Sequence, residues 1–138
     1  MNKKFMVVFL SLGILIFGVT ANAKIKIFEG VGKHYMEDAN ETLDAAKEQA
    51  KILAELDALE QAQVHIQGYS DAHNSKLTRD EIIAITAGVL NVKGVKYNLS
   101  QESDGIMLME VIVTAEIDTD KIPELVEREL KRREAKRP

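Results

Sequence analysis

The side chains best suited to binding a metal ion lie in the middle of the chain: His65, Asp71 and His73. Imidazole and carboxylate groups are common zinc ligands, and a site needs three or four of them at a spacing that lets them converge. Here His65 lies at the end of a helix or strand pattern, whereas the other two belong to a polar stretch at residues 68–76. We therefore expect a solvated loop and no metal, with a periplasmic protein that binds a small ligand or metal through this loop as the alternative.

Two glycines, Gly30 and Gly32, follow a predicted strand and are the second feature with chemical potential. A glycine-rich turn can hold a phosphate, but the third position of a dinucleotide fingerprint is Tyr35 and no lysine follows at the spacing of a phosphate-binding loop. No serine stands in a nucleophile elbow, and no pair of carboxylates has a catalytic context. We predict that the protein is not an enzyme and binds no cofactor.

The first 23 residues have the three parts of an export signal. Lys3 and Lys4 give a positive start, an apolar run follows at residues 5–18, and Ala21 and Ala23 are the small residues that a signal peptidase accommodates. The run is shorter than the ~20 residues that a membrane-spanning helix needs. We predict cleavage after Ala23, export to the periplasm or the medium, and no stable membrane anchor afterwards. An uncleaved N-terminal anchor is the alternative.

The composition excludes several classes of protein and of binding site. The chain of 138 residues has no cysteine, which excludes disulfides, cysteine-ligated metal centres and a lipid-anchored lipoprotein. Removing the signal takes away two lysines and no acid, which leaves 115 residues and changes the formal net charge from −4 to −6. Because the chain is acidic and only 5% aromatic, we predict no binding to nucleic acid. Its stability must come from the packing of one core.

The first half of the mature chain predicts a strand and a long helix. Alternation at residues 24–28 indicates a half-buried strand, with Ile25 and Ile27 on one side and the glycines loosening its end. From about residue 41 to residue 67 the pattern is helical, with Asn40 as the cap. Five alanines repeat every four residues: Ala46, Ala50, Ala54, Ala58 and Ala62. We interpret this ladder as a ridge for close packing; helix propensity alone is the alternative.

The second half predicts a short helix, a hairpin and a last helix. Thr78 and Glu81 form a capping box, residues 103–105 supply turn chemistry between two strand patterns, and residues 118–120 cap the last helix. The order strand, helix, helix, strand, strand, helix predicts a two-layer α+β fold, with the helices on one face of a small, mainly antiparallel sheet. We expect three parts: a signal peptide (1–23), a single domain (24–120) and a C-terminal helix with a basic end (121–138).

One strand of the hairpin carries apolar residues on both faces. At residues 106–117, the odd positions from Met107 to Ile117 form the predicted buried face. The other face mixes polar residues with Leu108 and Ile112, which a core on one face does not require. We therefore predict that Leu108 and Ile112 contact another protein.

The C-terminus is basic on an otherwise acidic protein, through Lys131, Arg132, Arg133, Lys136 and Arg137. These side chains are candidates for weak contact with anionic lipid or an acidic cell-wall polymer, each base near a membrane surface contributing about 1 kcal/mol. The interpretation that we prefer is that bases at a helix C-terminus complement its dipole and stay solvated.

The alanine-laddered helix, its run Asp-Ala-Leu-Glu-Gln-Ala at residues 57–62 and a following strand at 64–66 resemble the long helix and exit strand of the LPP20-like lipoprotein family. The N-terminal domain of flagellar assembly protein T has the same pattern. Residues 77–82 and 113–115 resemble the later landmarks, so the resemblance covers residues 25–120. It implies an envelope or secreted protein with an assembly or surface role and no recognised enzyme chemistry.

Together these features predict an exported, non-enzymatic domain of the cell envelope or the medium that acts through protein–protein contacts. A role in the assembly of an envelope structure follows from the resemblance alone. The expected partner is another envelope protein or a second copy of the chain.

Overall fold

The computed structural model describes residues 24–138, so the predicted signal peptide, with Ala21 and Ala23, lies outside the described residues. Within that range the chain has the predicted α+β fold and element order. The strands are β1 (Ile25–Met36), β2 (Leu90–Gln101) and β3 (Met107–Asp118), and the helices are α1 (Leu43–Ala72), α2 (Arg79–Val89) and α3 (Ile122–Ala135). A short 3-10 turn, Thr119–Lys121, joins β3 to α3.

The strands form one antiparallel sheet in the order β1-β3-β2, so β3 is central and β1 and β2 are edges. The predicted hairpin of β2 and β3 is confirmed. Its turn includes Gly105 at a φ of +87°, a conformation that glycine adopts without steric cost. A bulge between Val92 and Gly94 shifts the register of β2 against β3.

The core lies between the sheet and the helices. As predicted, alternate residues of β3 form its buried face: Met109, Val111, Val113, Ala115 and Ile117. The long helix α1 covers this face over β1 and β3, while α2 and α3 close one end of the core around Ile66, Ile85 and Ile122. The C-terminal helix therefore packs into the same core as the rest of the domain.

The alanine ladder of α1 packs directly on the two glycines of β1, and all five alanines are fully buried. A Cβ on Gly30 would lie 2.0 Å from the carbonyl oxygen of Ala54, and one on Gly32 would lie 1.9 Å from that of Ala50. Both distances are far below van der Waals contact, so only glycine fits beneath the helix. The close-packing interpretation of the ladder is confirmed.

The predicted end and faces of β1 are wrong. The strand continues through both glycines to Met36, because the glycines admit α1 and do not loosen the strand. The core side is the one that carries Phe28, whereas Ile25 and Ile27 are 50% and 60% exposed on the opposite face. Alternation identifies two faces but does not say which of them a helix will cover.

The predicted boundaries of α1 are also wrong. The cap is Thr42, whose side chain accepts a hydrogen bond from the backbone of Ala45, and the helix runs five residues beyond 67. The exit strand at residues 64–66 is absent, and residues 68–72 of the predicted loop are helical. The buried stripe continues at four-residue spacing through Ile66 and Ser70, and the Ser70 hydroxyl accepts a hydrogen bond from the Leu77 backbone at 3.1 Å.

Candidate functional site

The three candidate metal ligands lie along the last turns of α1 and do not converge. His65 Nδ1 is 3.4 Å from Nζ of Lys26 at the start of β1, and burial, followed by this cation, lowers the pKa of His65. Asp71 accepts a hydrogen bond from the side chain one turn earlier, and His73 stacks on Tyr69 with ring centroids 4.0 Å apart. Within residues 24–138, no group of three or more such side chains is placed to hold a metal ion.

Two side chains of α1, Asp57 and Gln61, close the outer edge of β1. The Asp57 carboxylate accepts a hydrogen bond from the Val31 backbone at 2.8 Å, and the Gln61 amide donates one to the Glu29 carbonyl at 2.7 Å. Each residue precedes an alanine of the ladder, so each projects toward the edge of the strand beneath. Sequence reasoning missed this role because it depends on how closely α1 approaches β1.

Leu108 and Ile112 lie on the face of β3 that points away from the helices, as the alternation predicts. On β1, Leu108 is paired with Tyr35 and Ile112 with Val31. Leu108 is only 7% exposed and Ile112 is half-buried, although the helices pack on the other face. Leu108 in particular therefore offers little surface to a partner.

The exposed apolar area of this face belongs mainly to β1, which sequence reasoning did not include. We define the open-face strip as the apolar residues of β1 and β3 on this side: Ile25, Ile27, Val31, Tyr35, Leu108 and Ile112. The four β1 members are exposed large hydrophobic residues. The signal that could have found them is the same alternation, extended through the glycines to Met36.

Polar side chains on the open face interrupt and flank the strip, since Glu29 and Lys33 lie between its β1 members. Lys33 pairs with Glu110 at 3.7 Å, and Lys93 pairs with Glu116 at 4.0 Å. A depression of about 270 Å³ includes Ile112 among its lining residues, together with side chains of β1 and β2. Apolar side chains interspersed with polar ones are the average composition of a non-obligate protein–protein contact surface.

A second apolar area lies on the helix side, where α1 does not cover β2. Val92, Tyr97 and Leu99 are each more than 40% exposed, although the sequence predicts a hairpin with a buried face there. Lys47 lies over the Tyr97 ring at 5.4 Å from its centroid. A groove of about 420 Å³ between α1 and β2 is lined mainly by apolar residues: Ile52, Leu56, Ala58, Leu59, Leu90 and Val92.

In the basic C-terminus, Arg133 joins α3 to the start of α2. Its Nε donates to Oε1 of Glu81 at 2.7 Å, and its Nη2 donates to the other oxygen of Glu81 and to the Lys76 carbonyl at 3.0 Å. Glu81 is 7% exposed and also completes the predicted capping box with Thr78, which is confirmed. Arg133 therefore has a structural role inside the fold.

Two further bases of this end are paired on α3 itself. Lys131 lies 2.7 Å from Glu127, and Arg132 lies 2.8 Å from Glu129. Within residues 24–138, no ion pair involves Lys136 or Arg137. Contact of the basic end with an anionic surface stays a prediction, with these last two residues as its strongest candidates.

The Arg133–Glu81 pair makes stability dependent on pH. Hydrogen bonds from Arg133 are the main cause that lowers the pKa of Glu81. Because the folded-state pKa lies below the unfolded one, the pair contributes its full stability above roughly pH 5, where the unfolded carboxyl is also ionised, and loses it as the pH falls through the folded pKa. We expect the free energy of unfolding of the wild type to decrease more steeply than that of Glu81→Gln between about pH 5 and pH 3.

Urea unfolding at a series of pH values measures this difference. Glutamine retains the capping-box geometry, so the comparison isolates the carboxylate. Parallel pH profiles for the two proteins would contradict this assignment of Glu81.

Among the helices of residues 24–138, none combines the length and the apolar composition that crossing a bilayer requires. Comparison of the chain with family models, with curated proteins and with solved structures finds no match in any of the three. The resemblance to the LPP20-like family and to the N-terminal domain of flagellar assembly protein T therefore stays a prediction, and its exit strand is absent.

Proposed function

We propose that the protein is an exported, non-enzymatic domain that acts through protein–protein contact, with the open face of its sheet as the contact surface. The observation that carries this proposal is the open-face strip, a set of exposed apolar residues that no helix covers within residues 24–138. Antiparallel sheets commonly leave one face to water, and the side chains on that face are then usually polar. Here four of the six outward positions of β1 between residues 25 and 35 are apolar, with Glu29 and Lys33 between them.

Burial of the strip favours a partner whose contact surface is also apolar. Covering an aliphatic or aromatic side chain completely contributes about 1.5–3 kcal/mol, and the β1 members of the strip are roughly half exposed. The charged neighbours Lys33 and Glu110 already pair with each other, so a partner does not have to neutralise them. The strip, with this ion pair across it, is therefore suited to an interface of mixed apolar and polar composition.

Several features support a binding role over an enzymatic one. The lowered pKa of Glu81 has a structural explanation in the ion pair with Arg133. Burial and the neighbouring Lys26 account for the lowered pKa of His65, so this shift has a structural explanation too. The predicted signal peptide and the resemblance support the exported location, in which a periplasmic or secreted partner is the expected ligand.

Replacing Ile112 by lysine tests the proposal. We expect Ile112→Lys, placed in the natively exported protein, to reduce capture of its envelope partner at least about tenfold, because a charge in the centre of an interface must be desolvated. Far-ultraviolet circular dichroism checks that the variant is folded. Leu108 is less suitable, since its 7% exposure means that a lysine there would disturb the sheet.

Ile83→Lys is the matched control, because Ile83 is an exposed isoleucine on α2, away from the open face. It is expected to leave capture unchanged. Equal capture by both variants would contradict the proposed surface. Unfolding of both Ile112→Lys and Ile112→Glu would contradict it too, because Ile112 would then be required by the core whichever charge lies opposite Lys96.

A further inference from the structure

The two edge strands of the sheet differ in whether their outward-pointing backbone groups have hydrogen-bond partners. On β1, side chains of α1 satisfy outward-pointing backbone groups of Glu29 and Val31. On β2, within the part of the chain that the structure describes, eleven of the twelve residues pair with β3 on one side, and none has a backbone partner on the other. Unpaired edges are ready templates for another strand, and proteins usually block them. Only one edge of this sheet is blocked by its own helix.

The side chains of β2 differ between the two faces. Toward the helices, Val95, Tyr97 and Leu99 form an apolar row, of which Tyr97 is 44% exposed. Toward the open face, Lys96 alternates with Asn98 and then Ser100. A strand that pairs with β2 in register must therefore offer apolar side chains on one face and polar or acidic ones on the other.

We propose that β2 pairs with the β2 strand of a second copy, antiparallel and two-fold symmetric about Tyr97, so that two three-stranded sheets form one six-stranded sheet. In this register Val95 of one protomer lies opposite Leu99 of the other, and the two Tyr97 side chains are neighbours. On the open face, Lys96 lies opposite Asn98. Each apolar residue therefore meets an apolar residue, and each lysine meets a neutral polar residue.

Charge, the bulge and the apolar row together select this register among those that keep the faces matched. Opposing residues of an antiparallel pair share a face, so the symmetry axis must pass through a residue and not between two. An axis at Lys96 would place the two lysines directly opposite each other, which is destabilising, and an axis at Asn98 would place Val95 opposite the polar Gln101. An axis at Val95 would carry the pairing across the bulge next to Gly94, whereas the axis at Tyr97 spans residues 94–100 without interruption.

A second copy fits this edge better than an unrelated strand does. In the antiparallel register, β2 places its own apolar row opposite the apolar row of the first copy, and its own Asn98 opposite Lys96. Joining the edges also brings the two apolar areas between α1 and β2 side by side on the same face of the larger sheet. An interface of one strand pair is at the small end of the range for specific complexes. We therefore expect a dissociation constant on the order of micromolar.

Sedimentation velocity of the natively exported protein measures the association. We expect a shift from monomer to dimer between about 1 and 100 µM. Asn98→Lys would place a lysine opposite Lys96 at both symmetry-related positions of the interface. Because like charges that face each other are destabilising, we expect dimerisation to weaken at least about tenfold. In the monomer, Asn98 is paired with Glu110 of β3, so this substitution puts no like charge opposite it within the fold.

Two further variants make the register testable. Asn91→Lys makes the same change on the same strand, opposite Glu116 and outside residues 94–100, and is expected to leave dimerisation unchanged. The double variant Lys96→Glu with Asn98→Lys creates opposite charges at both symmetric positions and is expected to restore the dimer. A monomer at every concentration, an equal effect of Asn91→Lys, or no recovery in the double variant would each overturn the proposal.

The dimer and the open-face contact are separable by experiment. Because Ile112 is paired with Lys96 of β2, the separation uses Ile112→Ala, which adds no charge beside this edge. We expect Ile112→Ala to leave the dimer intact while it weakens partner capture. Asn98→Lys is expected to do the reverse. Loss of both properties in either variant would contradict the assignment of two distinct surfaces.

Discussion

Gly30→Ala is expected to lower the free energy of unfolding by about 3 kcal/mol or more, at the upper end of what overpacking costs. The added Cβ would lie 2.0 Å from the Ala54 carbonyl oxygen and 2.7 Å from the backbone nitrogen of Ala58. Both are backbone atoms of α1, so no side-chain rotation can relieve the contact, and the helix must move away from the sheet. Urea unfolding followed by circular dichroism measures the loss.

Gly94→Ala is the matched control, on the opposite edge strand. A Cβ at Gly94 would meet nothing within 4 Å, so we expect a change within about 1 kcal/mol, including the smaller entropy of the unfolded alanine chain. If Gly30→Ala were as stable as Gly94→Ala, α1 could not lie as close to β1 as described.

The second large effect is expected for Ala54→Leu, again about 3 kcal/mol or more. Ala54 is fully buried and lies over Gly30, so the extra carbon atoms of leucine have no space between helix and strand. The same displacement of α1 would pull Asp57 away from the Val31 backbone, which it contacts at 2.8 Å. A thermal unfolding curve of the variant measures the decrease in stability.

Ala45→Leu provides the control within the same helix. Ala45 is exposed, and leucine is nearly as good a helix former as alanine, so we expect a change within about 0.5 kcal/mol. Equal losses in the two variants would contradict close packing and favour helix propensity as the reason for the ladder.

The features predicted correctly from sequence are those fixed by local patterns. The capping box of Thr78 and Glu81 needs only two side chains and the backbone between them. The buried face of β3 follows from an alternation that continues from Met109 to Ile117, and the hairpin follows from its turn residues. These patterns were long or specific enough to fix both the element and its orientation.

The features predicted wrongly depend on contacts between elements. The faces of β1 were reversed because Ile25 and Ile27 look like core residues, whereas Lys26 shares the core side. The structure accommodates this lysine at the end of the strand, where its ammonium group lies over the Phe28 ring at 5.7 Å from the centroid. The position of α1 determines which face of β1 is buried, and no pattern within the strand encodes that position.

The candidate surface was predicted in part for the same reason. Alternation places Leu108 and Ile112 on the open face of β3. It does not include Val31 and Tyr35, because the strand pattern of β1 that is visible in the sequence ends at Phe28. The closed edge of β1 was missed as well, since Asp57 becomes an edge residue only when the glycines allow α1 to approach. Close helix–strand packing thus determines both which face stays open and which edge stays unpaired.

Site-specific photo-crosslinking in the native host tests most directly whether the open face is a contact surface. A photoreactive phenylalanine replaces Tyr35, an exposed aromatic residue of the open-face strip, and in a second strain it replaces Val64, which is exposed on α1. We predict a discrete cross-linked product with a partner from position 35 and none from position 64. No product from position 35, or the same products from both positions, would contradict the account.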